Sequence, residues 1–424
     1  MKIEKLHKLF LQFPIICTDT RKISENCIFF ALKGDNFNGN SYANKAIEGG
    51  ASFAIVDEEE YATNNNTILV SNTLETLQKL ANYHRNYSNA KVIGLTGSNG
   101  KTTTKELINS VLSTTYKTIA TVGNLNNHIG VPLSLLTIKE DTEIAIIEMG
   151  ANHKKEIEFL SSIAEPDFGY ITNFGKAHLE GFGSEEGVIE GKSELYEFLI
   201  NNDKQIFFNA DDAIQFEKLN SYIKKYGFSQ IDSKFYQIKL IDANPFVEIE
   251  FDNILITTKL IGAYNFINCC AAITMGKYFN ITISEIKKGI ESYIPSNNRS
   301  QIIEKNGNKI ILDAYNANPS SMQVALDNLK NLKAEHKIAF LGDMFELGNT
   351  AKKEHQNIAD LAFSMNFDIT FLIGENFSNT NTNNKIYTSF DELREHLKHN
   401  KIEKSTILIK GSRGMALERI LDLL

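Results

Sequence analysis

Along most of the chain, short apolar runs alternate with segments whose apolar positions recur every three or four residues. That is the pattern of βα units and parallel sheets. CIFFAL (27–32), FAIV (53–56) and TILV (67–70) predict strands, with helices over about 41–49 and 73–87. The polar stretch YHRNYSNA (83–90) predicts a linker. KVIGL (91–95), EIAIIE (143–148), FGYIT (168–172) and KQIFFN (204–209) predict a second set of strands. Between 231 and 260 the pattern changes. KFYQIKLI, FVEIEF and ILITTKL read as successive antiparallel strands, and a helix from about Tyr264 to Phe279 follows. ESYIPSNNRS (291–300) marks another junction. Beyond it come KIILDAY, a helix over 319–333, KIAFLGD, a helix over 350–366, ITFLIG, STILIKG and a last helix from about Arg413. The start, MKIEKLHKLFLQF, is broken by lysines and predicts an amphipathic helix rather than a signal peptide. NTNTNNK (379–385) predicts a polar surface loop.

Composition narrows the class. At ~150 residues per domain, 424 residues suggest about three domains. The expected fold is α/β, with a domain over 1–86, a central parallel-sheet domain over 87–296 and a smaller Rossmann-like domain over 297–424. A 42% hydrophobic share is enough to bury real cores and excludes a disordered chain. Lys+Arg 44 against Asp+Glu 52 gives −8, so no global basic field exists for wrapping nucleic acid. Cys17, Cys27, Cys269 and Cys270 form no CxxC pair and read as reduced thiols of a cytoplasmic protein. No apolar run approaches the roughly 18–20 residues that span a bilayer.

The strongest chemical signal is GLTGSNGKTT (94–103), placed between a predicted strand and a predicted helix. Gly97 and Gly100 allow a tight turn whose backbone N–H groups, with those of Ser98 and Asn99, point at phosphate oxygens. The following helix adds the positive end of its dipole. Lys101 would reach the terminal phosphates of ATP, and the hydroxyl of Thr102, followed by Thr103, would ligate Mg²⁺. The strict spacing G-x-x-x-x-G-K-[ST] asks for glycine where Leu95 stands, so the match is to the shorter core T-G-x-x-G-K-T. Glu148 closes the strand EIAIIE, at the end where open α/β sheets bind ligands, and is the candidate acid for the metal.

These residues, together with GNLNNHIGVPLSLL (123–136), EMGANHKKEI (148–157), ITNFGKAHLEGFGSEEGVIEGKSELYE (171–197), GAYNFINCCAA (262–272), NRSQII (298–303), LDAYNANPSSM (312–322), LGDMFELG (341–348) and KGSRGMALE (410–418), make the chain resemble the Mur ligase family. Those are ATP-dependent amide-forming enzymes of peptidoglycan precursor synthesis. GNLNN, DAYNANPSSM and GDMFELG favour the branch that adds D-alanyl-D-alanine to UDP-N-acetylmuramoyl-tripeptide. The resemblance implies phosphoryl transfer to a substrate carboxylate, then attack by an amine on the acyl phosphate. Positioning and charge neutralisation would carry the catalysis.

The resemblance also implies roles for single residues. Thr102, Glu148, His178 and Lys192 would hold two Mg²⁺ ions, with Lys192 carbamylated to become an anionic ligand. Without the family, Lys192 reads as a solvated helix lysine and His178 as an ordinary histidine. Asn265 and Asn268 would lie on the adenine side, with a plain helix N-cap as the other reading of Asn265. Arg299 and Asp313 would reach the γ-phosphate and ribose from the third domain. Thr20, Arg21, Lys33 and Gly34 would form the uridine-nucleotide site of the first domain, where Asn38-Gly39-Asn40 departs from the family's commoner Asp-Gly-His. Asn124, Asn126, Asn127, Thr172 and Asn173 would line the muramoyl-peptide channel. Tyr315, Asn316, Asn318, Asp343 and Glu346 would hold the dipeptide, unless Asn318 merely starts a helix and Asp343 caps a turn. A cytoplasmic monomer is expected. Two other readings stay open at this point. One is a folylpolyglutamate synthase-like ligase, and the other is a non-ligase P-loop switch.

Overall fold

The computed structural model describes residues 1–424, and its main strands fall into three sheets that follow one another along the chain. The first has four parallel strands in the order Ile15–Cys17, Cys27–Phe30, Phe53–Val56 and Thr67–Leu69. The second has nine. From one edge they run Thr118–Ala120, Ile144–Glu148, Lys91–Thr96, Phe168–Ile171, Gln205–Asn209, Lys225–Ser229 and Tyr236–Ala243, all parallel. Phe246–Phe251 and Ile254–Ile261 then extend it as antiparallel strands. The third sheet has six, in the order Gln301–Lys305, Asn308–Asp313, Thr406–Lys410, Lys337–Gly342, Ile369–Ile373 and Lys385–Tyr387, and only its first pair is antiparallel.

Burial follows this layout. Ile144–Glu148 and Thr406–Lys410 are buried at every position because helices cover both faces of a parallel sheet. Phe246–Phe251 buries alternate positions, as a one-faced antiparallel strand does. In the second sheet the chain leaves Lys91–Thr96 for Ile144–Glu148 on one side, then crosses to Phe168–Ile171 on the other. That reversal opens a crevice at the carboxyl end of Lys91–Thr96.

The strands expected from apolar runs are present, and five short strands of the three sheets escape the pattern: Ile15–Cys17, Thr118–Ala120, Lys225–Ser229, Gln301–Lys305 and Lys385–Tyr387. With three to five residues each, they offer too few positions for a period to register. The expected last helix is instead a pair of 3₁₀ segments, Arg413–Met415 and Leu417–Leu423, split by Ala416 in the left-handed region at φ 48°.

The expected linker over 83–90 also needs correction. Helix Thr73–Tyr87 runs through most of it, and its polar side chains are docking groups. Arg85 donates to the carbonyls of Ala164 (3.1 Å) and Glu165 (2.9 Å) and pairs with Asp167 at 2.8 Å. Asn82 donates to Ile163 O at 3.0 Å. These groups satisfy helix-end carbonyls of the second domain, so polarity here marks an interface. No helix is long and apolar enough to cross a membrane.

A buried imidazole pair completes the same junction. His84 Nε2 donates to Ile138 O (2.8 Å), a pure acceptor, which leaves Nδ1 to accept from His7 Nε2–H at 3.0 Å. Burial disfavours the charged form of both rings. Burial, then the neighbouring His84, lowers the His7 pKa from 6.5 to about 4. The unfolded chain binds the proton first, so this site's contribution is intact above pH 6.5 and is lost as pH falls toward about 4. Urea unfolding across that window should show a His7→Leu variant losing less stability on acidification than the parent. Equal losses would remove His7 as the titrating group.

Candidate active site

The crevice is built around the loop between strand Lys91–Thr96 and helix Lys101–Leu112. Gly97 has φ 141°, and a Cβ there would lie 1.9 Å from Thr172 Oγ1. Gly100 has φ 77°, and its Cβ would lie 2.7 Å from Asn268 Oδ1. Conformation and space both require glycine at these two places. Leu95, the departure from the longer motif, is a fully buried core residue of the strand.

The loop is braced from the neighbouring strand end. Asn99 O accepts from Thr172 Oγ1 (2.6 Å) and Asn173 Nδ2 (3.0 Å). Asn99 N–H donates to Asn173 Oδ1 (3.1 Å), and Ser98 N–H donates to Asn173 O (3.0 Å). Lys101 Nζ folds back onto Gly97 O (2.7 Å) and Ser98 O (3.3 Å). Burial lowers the pKa of its ammonium, Glu148 opposes that shift and Arg299 adds to it. Ser98 Oγ is buried with no partner. An unpaired buried hydroxyl costs about 1–3 kcal/mol, so a phosphate oxygen suits this position.

Glu148 is 2% exposed, and every atom it offers is engaged. Its Oε2 accepts from Thr102 Oγ1 (3.0 Å), its Oε1 from Asn126 Nδ2 (2.9 Å), and its N–H donates to Thr121 Oγ1 (3.0 Å). Behind it, the fully buried Lys105 donates to Thr121 O. His178 lines the same cleft, with Nδ1 against Glu346 Oε2. The hydrogen bond from His178 holds the Glu346 carboxyl below its ordinary range. No three His, Cys, Asp or Glu side chains converge on one point. Thr102 and Glu148 stand together and His178 lines the same cleft, so a hard cation held there would complete its shell from its ligand or water.

The cleft has a volume of about 540 Å³, and the third sheet forms one wall. Arg299 lies with its guanidinium carbon 3.4 Å from the Tyr315 ring centroid. Asp313 accepts from Lys410 Nζ (2.6 Å) and Ser300 N (3.1 Å). From the other side, Asn268 accepts from Thr104 Oγ1 (3.0 Å) and donates to Asn265 Oδ1 (2.8 Å). Asn265 in turn donates to Ile261 O at 2.8 Å. The N-cap position belongs to Ala263, so the cap reading of Asn265 does not hold. This buried amide chain ties helix Tyr264–Tyr278 to the phosphate-loop helix while both asparagines face the cleft.

Asn124, Asn126, Asn127, Tyr315, Asn316 and Asn318 also line the cleft. Other expected contacts lie elsewhere. Thr172 and Asn173 sit under the phosphate loop as its braces and do not line the cleft. Asp343 is 3% exposed, and its carboxylate caps a short helix by accepting from the N–H groups of Asn376 (2.9 Å) and Phe377 (3.0 Å). It has no face free for an ammonium ion. Asn127 Oδ1 caps a helix start, accepting from the N–H groups of Ile129 (3.1 Å) and Gly130 (2.9 Å).

Lys192 is fully buried just behind the cleft wall. Its Nζ donates to Ala151 O (2.9 Å) and lies 4.8 Å from the Phe182 ring centroid. Burial, with the charge of Lys101 second, holds its pKa far below the lysine range. Thr20, Arg21, Lys33 and Gly34 belong to the first domain, outside this cleft. There Arg21 forks onto Asp19, and Lys33 pairs with Asp57 (2.9 Å) and Glu58 (2.8 Å). Asn40, where the family more often has histidine, is fully buried and donates to Asp57 Oδ1 at 2.8 Å.

Lys410 is the principal residue missed in the sequence. It ends the apolar strand Thr406–Lys410, in register with Asp313 at the end of Asn308–Asp313. Two opposite charges closing two apolar strands were a readable signal, and the structure pairs them across the cleft wall. Tyr264 and Ser300, joined at 2.7 Å, also line the cleft.

Comparison with known proteins agrees with this geometry. Three family patterns match in order: the Mur ligase family catalytic domain over 12–85, the Mur ligase middle domain over 95–276, and the Mur ligase glutamate ligase domain over 298–413. The UDP-N-acetylmuramoyl-tripeptide–D-alanyl-D-alanine ligase of Bacillus subtilis is 35% identical over 96% of this chain and 92% of its own. Its Escherichia coli counterpart is 31% identical over 96% and 92%. MurF from Acinetobacter baumannii superposes with a TM-score of 0.86 at 28% identity, covering 100% of this chain and 98% of that one. MurF from Thermotoga maritima, solved in complex with ADP, gives 0.85 at 26% identity, covering 97% of each. Matched by family patterns along most of its length and by relatives above 30% identity over nearly all of it, the chain belongs to the Mur ligase family of ATP-dependent amide ligases.

Proposed function

We propose that the cleft joins D-alanyl-D-alanine to UDP-N-acetylmuramoyl-tripeptide in cytoplasmic peptidoglycan precursor synthesis. The observation that carries the site assignment is the Thr102–Glu148 hydrogen bond at the start of the phosphate-loop helix. It places the hydroxyl and the carboxylate needed for Mg²⁺ beside amides and a lysine suited to a triphosphate. On this reading residues 1–86 hold the uridine nucleotide, 87–296 hold ATP, and 297–424 bring the dipeptide and close the cleft. The nucleotide supplies the phosphoryl group that activates the tripeptide carboxylate.

The chain's own residues position and neutralise. Lys101, now on the carbonyls of Gly97 and Ser98, would hold the terminal phosphates, and Ser98 Oγ would donate to a phosphate oxygen. Arg299 balances transferred charge from the third domain while Tyr315 holds its plane. Lys410 anchors Asp313 so that the carboxylate keeps one orientation toward the ribose. Asn265 and Asn268 present the adenine side. A roof over the cleft excludes the water that would hydrolyse an acyl phosphate. Glu346, fixed by His178, stands near the dipeptide entry.

Lys192 supports the carbamylation reading. Burial that disfavours the ammonium form of Lys192 favours the free amine, the form that attacks carbon dioxide to give a carbamate and release a proton. The product is an anionic oxygen ligand beside the Ala151 wall.

Phosphate release should require both the UDP-muramoyl-tripeptide and the dipeptide. Release from ATP alone at the full rate would instead favour a switch ATPase. Lys101→Ala should abolish ligation, and near-normal turnover would contradict its phosphate role. Lys192→Ala should lose most activity and recover part of it with an added short carboxylate. No recovery would leave the carbamate unsupported. Paired assays with lysine- and diaminopimelate-containing tripeptides identify the third residue.

A further inference from the structure

Asn318 was expected to hold the incoming dipeptide, but its amide is already committed at both ends. Its Oδ1 accepts from Ser321 N (2.9 Å) and its backbone N–H donates to Ser321 Oγ (3.0 Å), a capping box at the start of helix Pro319–Asn331. The box fixes the amide orientation, and its Nδ2 donates to Asn99 Oδ1 at 2.7 Å, 219 residues away. Asn99 is the residue between Ser98 and Gly100 of the phosphate loop. Its backbone is held by Thr172 and Asn173 of its own domain. Its side chain is held by the third domain. Two residues further along, Ser320 Oγ accepts from Lys176 N at 2.7 Å, so the same helix turn grips the central domain twice.

We infer that Asn318 is a positioning residue, a latch through which docking of the third domain sets the conformation of the phosphate loop. The loop is flanked by Gly97 and Gly100, both at positive φ, so its own backbone resists displacement weakly. An external bond to its middle residue therefore has leverage. The carbonyls that now receive Lys101 Nζ, those of Gly97 and Ser98, adjoin the latched residue. The latch thus acts on the segment that aims both the amides and the lysine. The turnover part of this inference rests on the phosphate reading of the loop, which Lys101→Ala tests separately.

Asn318→Ser separates latch from cap. Serine is an equally good N-cap but too short to reach Asn99. Hydrogen exchange of the nucleotide-free protein reads the latch directly. Protection at Ser98 and Asn99 should fall about fivefold to tenfold, the worth of one ordinary hydrogen bond, while helix Pro319–Asn331 keeps its protection. In ligation, kcat should fall by a similar factor, about fivefold to tenfold, with the dipeptide KM little changed. A dipeptide-binding asparagine would instead raise KM. Asn99→Ser should reproduce both effects, and the double variant should be no worse than either single one. Unchanged loop protection in Asn318→Ser, a KM effect alone, or single losses that multiply in the double variant would each overturn the latch.

Discussion

The cleft depends on a short stretch of backbone, 97–100, that keeps its N–H groups turned one way without belonging to a helix or a strand. Glycine makes that shape accessible but does not hold it, because glycine loses more conformational freedom on ordering than any other residue. Rigidity is supplied from outside the loop. Ile171 pairs with Thr96 across the sheet, so the residues that follow the two strands emerge side by side. Thr172 and Asn173 are thereby delivered directly under Ser98 and Asn99. Strand register, set by the apolar runs KVIGL and FGYI, is what positions a catalytic loop. A one-residue slip would turn those braces to the other face of the sheet.

A second constraint is charge. Lys192 and Lys410 are buried and Lys101 is half-buried in the cleft, and burying an ammonium ion is expensive unless it is paired or neutral. The three lysines meet that cost differently. Lys410 pairs with Asp313 at 2.6 Å. Lys101 uses loop carbonyls and the field of Glu148. Lys192 has a carbonyl and an aromatic face within reach, and burial, then the charge of Lys101, lowers its pKa against the more distant Glu156 and Glu194. Buried pairs contribute little to stability on balance. The gathering of three such lysines around one cleft is better explained by chemistry than by folding.

Legibility in the sequence follows how locally each feature is determined. The long apolar strands and the TGSNGKTT loop declare themselves because period, glycine and lysine act within a dozen residues. Glu148 is legible because it ends a strand. Thr172 and Asn173 look like ligands but serve as braces, since only the parallel pairing reveals what lies above them. Asp343 carries the right charge for an ammonium ion, yet Asn376 and Phe377 occupy it from the next strand's loop. The polar run at 83–87 looks like a linker because polarity is also what a helix needs to cap the carbonyls of another domain. In each case the misread residue is polar, and its partner is distant in sequence.

The last step concerns how the domains meet. The third domain touches the central one at several places, Ser300 on Tyr264 and Asn331 on Asn244 among them, and one group of contacts falls at the phosphate loop and its bracing strand: Asn318 on Asn99, Ser320 on Lys176, and Glu346 on His178 and Glu180. Asn99 belongs to the phosphate loop, and the other three follow its bracing strand. Docking groups placed at random over an interface would stabilise closure without informing the site. Placed here, they make closure and loop geometry one equilibrium, because any movement of the third domain pulls on the residues that aim Lys101. A ligase whose acyl phosphate must survive until an amine attacks it gains from that coupling. Phosphoryl transfer in an open cleft would waste the acyl phosphate on water. The physical economy of the fold lies in using one helix start, Asn318 to Ser321, both to cap itself and to tie the two events together.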